Sequence, residues 1–156
     1  MNKHSPTAQG SAALARLNDE RDTLRDFIVL LEQEQKILLG TDTEPLLVLA
    51  ELKTSIADKL AALEQDRYRE FAGSGGTAEW LKKNAPQSAV LWEEIISLAK
   101  QAQSLNRSNG DLIQIKMRYN QQALTVLIGA TQHAAGLYGP DGQTNLPSTG
   151  RNLGSV

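Results

Sequence analysis

The stretch Leu105–Leu127, LNRSNGDLIQIKMRYNQQALTVL, carries two signals that disagree. Asn109-Gly110 is a strong turn dipeptide, because both residues tolerate the positive φ angles of a tight reversal. The residues on either side read as helix. The phase of the apolar residues decides between the two. Leu91, Leu98, Leu105, Leu112, Tyr119 and Val126 recur every seven positions, and the register does not slip across the pair. Two helices joined by a turn have no reason to share one phase. A preserved phase over six positions favours one continuous helix, and a mid-helix glycine costs only about 1 kcal/mol against alanine. Asn109 and Gly110 then form a soft, polar point that lets the helix bend or lets a neighbour approach closely.

Working outward, the chain before this helix has the same character. Leu17, Leu24, Leu31 and Leu38 recur at intervals of seven, with Leu14 and Ile28 at the alternate three-four spacing and Arg21 and Gln35 as polar interruptions. This is the seam of a bundle helix over about 11–39. GTDTEP stops it: Gly40 suits a C-terminal cap, and Thr43 or Asp42 suits the next N-cap, ahead of Glu44 and Pro45. A second helix over about 44–72 carries Leu49, Leu52, Ile56, Leu60 and Leu63 on one face. So short a connector makes it an antiparallel neighbour of the first. Arg67 and Lys53, on its polar side, are expected to snorkel or to pair with Asp and Glu.

GSGG, Gly73 to Gly76, cannot hold a helix and reads as a linker. A short helix over 77–84 follows, capped by Thr77, with Trp80 and Leu81 turned inward. Pro86 then opens the long helix, about 87–135. The fold expected is all-α: an antiparallel hairpin plus a long C-terminal helix, a coiled-coil-like three-helix bundle forming one domain over 1–136. From 137 to 156 the sequence is dense in Gly, Pro, Ser, Thr and Asn, the composition of a flexible tail.

Helix lengths then say which surface is left over. At ~1.5 Å per residue the hairpin helices span about 40 Å and the last helix about 70 Å. The shorter hairpin leaves part of the long apolar stripe uncovered: Leu112, Ile113, Met117, Leu124, Leu127 and Ile128. Contiguous exposed apolar surface marks a partner site or a self-association face. Asn106, Asn109 and Asn120 admit two readings, solvated positions or polar seam residues that fix register.

Composition narrows the function classes. The 156 residues include no cysteine, which removes disulfides and thiolate chemistry. A net charge of −2, with cations interleaved among carboxylates, offers no field for a phosphate backbone, so no nucleic-acid partner is expected. The apolar runs FIVLL and LLVLA are too short to span a bilayer, and no signal-peptide core precedes the first charges. No membrane insertion and a cytoplasmic location are therefore expected.

His4 and His133 have no ligand partners at useful spacing, so neither metal nor cofactor is expected. Glu32/Glu34 and Glu93/Glu94 read as solvated helix faces. The enzyme alternative, an all-α catalyst with a basic pocket between helices of the chorismate mutase kind, needs several inward cations; Arg21, Arg25 and Lys36 are the ones available on mostly leucine seams, and catalysis is not expected.

The run NRSNGDLIQIKMRYNQQALTVL followed by LYGPDGQTN resembles the FlgN family of flagellar export chaperones. That family places an Asn-Gly inside its last long helix, then Asn-Gln-Gln-Ala-Leu, then a Leu-Tyr-Gly-x-x-Gly-Gln element. FIVLLEQE, Phe27 to Glu34, is similar to the family's LxxLLxxE seam, with Phe27 where the first leucine stands, and LKTSIADKLAALEQDR fits its second helix.

The resemblance implies a cytosolic chaperone that holds the C-terminal segments of flagellar hook–filament junction (hook-associated) proteins, prevents their premature assembly and delivers them to the type III export gate. It implies a cargo surface at Leu112, Ile113, Met117, Asn120, Leu124, Leu127 and Ile128. It also implies docking of the gate's cytosolic domain at Tyr138. The alternative is a helical scaffold that self-associates through the C-terminal helix; a monomer or weak homo-oligomer fits the first reading.

Overall fold

A computed structural model describes residues 8–137. Four helices account for nearly all of them: α1 (Ala8–Leu39), α2 (Leu46–Phe71), α3 (Thr77–Asn84) and α4 (Ala89–Leu137). No strand occurs among the described residues. The all-α expectation and the long C-terminal helix both hold. α4 runs through Asn109-Gly110 without a break for 49 residues. Of the tail expected over 137–156, Leu137 is the last residue of α4, and 138–156 lie outside the described residues. The chain divides into two units after Ile113.

In the first unit, α1 and α2 form an antiparallel hairpin. Glu20 of α1 meets Arg67 of α2, and Glu34 of α1 meets Lys53, each at 2.9 Å, so residue numbers rise on one helix as they fall on the other. The proximal part of α4 runs the other way relative to α2, parallel to α1. Arg25 pairs with Glu94, and further along α1 the backbone carbonyl of Leu31 accepts a hydrogen bond from Asn109.

The heptad leucines Leu17, Leu24, Leu31 and Leu38 are all buried. Ala13, Ile28, Phe71, Leu81, Ala85, Ile95 and Ala102 complete the core with the first three of them. At the base, Phe71 and Trp80 stack at a 46° tilt with centroids 5.0 Å apart, fixing α3 against the end of α2.

The connectors explain where the helices stop. Gly40 ends α1, its N–H bonding back to the carbonyls of Lys36 and Ile37. The α2 start differs from expectation: Pro45 occupies the N-cap and the helix begins at Leu46. Proline disfavours helical geometry at the residue before it, so Glu44 stays in a turn. Asp42 holds that turn by accepting the N–H of Glu44 at 3.0 Å.

At the other end of α2, Gly75 and Gly76 take φ of 81° and 101°, a left-handed region that suits glycine. The Gly76 N–H reaches back to the Phe71 carbonyl and closes the helix end. GSGG is therefore a tight, bonded reversal. Gly76, not Thr77, sits at the N-cap of α3, and Thr77 is buried. Pro86 opens a 3₁₀ turn, Pro86–Ser88, that feeds α4.

Candidate functional site

Two polar layers cross the core of the first unit. In one, Glu34 is buried at 5% exposure and accepts from Lys53 Nζ with both oxygens, at 2.9 and 3.1 Å. Asn109 is fully buried, and its Nδ2 donates to Glu34 Oε2 at 2.7 Å and to the Leu31 carbonyl at 2.8 Å. Its Oδ1 has no partner. Glu34 is thus no solvated carboxylate: a cation from α2 and an amide from α4 compensate its burial. On α2, Leu52 is exposed and its neighbour Lys53 turns inward, because adjacent helical residues lie about 100° apart and the ion pair selects the lysine.

In the second layer, Glu20 is buried and accepts from Arg67 Nε at 2.9 and 3.1 Å, while the Arg67 guanidinium lies 4.7 Å above the Trp92 ring. Burial pushes the Glu20 carboxyl above its ordinary pKa, against the opposing pull of Arg67. Both cations read from sequence as polar-face residues therefore pair with acids, and both sit partly inside the bundle.

Asn109 is the seam residue of the three asparagines considered; Asn106 and Asn120 are exposed. Its turn propensity is overridden because its side chain bonds to α1 rather than to its own backbone. A Cβ added at Gly110 meets nothing within 4 Å, so no neighbouring side chain requires glycine there for close approach.

The cations considered for an enzymatic site do not converge. Arg21 binds Asp22, Arg25 binds Glu94 and lies near Asp22, and Lys36 is exposed. Glu32 and Glu93 are exposed. Among the described residues no group of three acidic or histidine side chains is placed to hold a metal. His133 is exposed, and His4 lies outside the described residues. No helix among the described residues is long and apolar enough to cross a membrane.

The apolar positions singled out on α4 fall in both units. Leu112 is half-buried and Ile113 is just exposed at the end of the first unit. Met117, Leu124, Leu127 and Ile128 belong to the second unit and are exposed, Leu124 at 57%; Asn120 is exposed beside them. Tyr138 lies outside the described residues. The second unit also exposes three large apolar side chains that the sequence reading left out of the site: Ile115, Tyr119 and Val126. Tyr119 and Val126 continue the seven-residue register of Leu91 to Leu112. Here they are about 70% exposed.

These exposed apolar side chains, on a stretch of helix without carboxylates, can bind an amphipathic segment by burying surface at ~25 cal/mol per Å². The family model described as "FlgN protein" matches residues 10–146 of the chain. The "Flagella synthesis protein FlgN" of Yersinia enterocolitica is 33% identical over 141 residues, covering 88% of this chain and 93% of that protein. The proteins of the same name from Escherichia coli K12 and Salmonella typhimurium are each 31% identical, and each match covers 88% of this chain and 94% of the relative. No solved structure matches the chain.

Proposed function

The chain belongs to the FlgN family, and on that premise we propose that it is a cytosolic export chaperone of flagellar assembly. In this reading it holds the C-terminal segments of hook–filament junction proteins along the distal part of α4, keeps them unassembled and delivers them to the type III export gate. The observation that carries the reading is the row of exposed apolar side chains at Met117, Leu124, Leu127 and Ile128 on an intact helix. A soluble chain that leaves so much apolar surface uncovered favours a partner that covers it.

Binding of this kind is reversible. The partner segment loses conformational entropy on ordering, which offsets part of the burial and keeps net affinity moderate. Tyr138 follows the family's tail motif and is assigned to docking at the gate's cytosolic domain. Calorimetry tests the cargo surface: Leu124→Asp or Leu127→Asp abolishes binding of a junction-protein C-terminal peptide while helicity is retained. Unchanged affinity rejects the assignment. Tyr138→Ala spares cargo binding and weakens capture of the gate's cytosolic domain; equal capture rejects the docking role.

A further inference from the structure

The exposed apolar residues of the second unit do not form one stripe. At about 100° per residue, Ile115, Tyr119 and Val126 share one side of the helix, and Met117, Leu124 and Ile128 lie roughly half a turn away. Leu127, Ala123 and Ala130 lie between the two stripes on one flank, together with Lys116 and Asn120. The other flank is polar, with Gln114, Arg118, Gln121, Gln122 and Thr125.

A single docked helix covers a face of about 100°, the width of an ordinary amphipathic stripe. It cannot reach both stripes. A cover for both requires two helical segments, one on each side.

Charge describes the cover further. Between Asp111 and Asp141 the sequence contains no carboxylate, while Lys116 and Arg118 lie in that interval. Seventeen of the eighteen carboxylates lie at or before Asp111, against thirteen of the sixteen Lys and Arg at or before Arg107. Residues 1–113 therefore carry a formal charge of −4 and residues 114–156 one of +2. A cationic, acid-free helix complements a partner whose apolar stripes are flanked by Asp and Glu.

We propose that residues 114–133 are clasped from two sides by one acidic partner segment that folds into two amphipathic helices. Resting on the export reading above, this names the form and the charge of the cargo. Ile115, Tyr119 and Val126 are contact residues on one side, and Met117, Leu124 and Ile128 on the other.

The test uses the full chain, with the C-terminal segment of a hook–filament junction protein as the probe, in calorimetry and light scattering. Val126→Asp and Leu124→Asp each weaken binding at least tenfold, with the wild-type complex one-to-one. Arg118→Glu weakens it several-fold at about 0.1 M salt, and that difference shrinks at about 0.5 M salt. Val126→Ala, which leaves the helix its propensity, shifts affinity in the same direction as Val126→Asp.

Wild-type affinity in both Val126 variants, with binding lost only in Leu124→Asp, means a one-sided partner and overturns the clasp. So does a complex of two probe molecules per chain. A free protein that is dimeric until Val126→Asp makes it monomeric assigns that stripe to a second copy and also overturns it. Indifference of Arg118→Glu and of salt overturns the acidic assignment. If the wild-type chain does not bind the probe at all, the export reading itself falls, an outcome distinct from one-sided loss.

Discussion

Residues 89–113 and 114–133 belong to one helix and carry one kind of sequence, yet they end in opposite states. In the first stretch Ile95, Ala102 and Asn109, spaced by seven, are buried in the unit that contains α1, α2 and α3. Beside them Leu91, Leu98, Leu105 and Leu112 are half-buried; in the second stretch Tyr119 and Val126 continue the register of these four, and both stand in solvent. The heptad pattern is the same. Cover differs. A periodic apolar seam therefore marks surface that a helix can bury, and does not say whether the same chain covers it.

The widest contrast is in stability. Leu31→Asp places a carboxylate in the core and costs about 4 kcal/mol or more, a large part of the stability of a domain this size. Leu124→Asp, on an exposed position, stays within about 0.5 kcal/mol of wild type. Urea denaturation followed by circular dichroism reads both. Equal destabilisation would erase the distinction between the two stretches.

The polar layers sharpen the same comparison at smaller amplitude. Lys53→Met leaves Glu34 with the Asn109 amide alone. The expected loss is about 2 kcal/mol, below the usual range for a broken buried pair because Lys53 keeps part of its side chain in water. A melt of this variant at neutral pH that matches wild type removes the charge-pair account of that layer.

The smallest effect lies beside the boundary between the units. Gly110→Ala introduces a Cβ that meets nothing, at a position without a positive φ, and raises stability by about 1 kcal/mol. A lower thermal midpoint in that variant instead points to a need for glycine there that the described contacts do not reveal.

Much of this architecture was legible beforehand. The leucines from Leu17 to Leu38 announced α1, and the unbroken phase across Asn109-Gly110 announced α4 against the strongest turn signal in the chain. Glu34 was not legible as a core residue. Its burial depends on Lys53, nineteen positions away on another helix, and a local pattern carries no information about that meeting. One trace was present. The acids Glu20 and Glu34 and the cations Lys53 and Arg67 are spaced by the same interval on two helices expected to run antiparallel. Ile115, Tyr119 and Val126 were missed for a related reason. Helix length alone says that part of α4 is left over, not that every side of the helix loses its cover once the unit that contains α1 and α2 ends at Ile113.

The paired layers of the hairpin also settle a question of alignment that leucines alone leave open. A seam repeating every seven residues fits itself equally well after sliding by seven. With Glu20 on Arg67 and Glu34 on Lys53, the residue numbers total 87 in both pairs. Slide one helix by a heptad toward the connector and Glu20 faces Leu60 while Glu34 faces Leu46. Two carboxylates then meet hydrocarbon and both cations lose their acids, at several kcal/mol for each stranded charge. The hairpin works like a key with two cuts: many blanks enter the lock, and only one depth of insertion turns it.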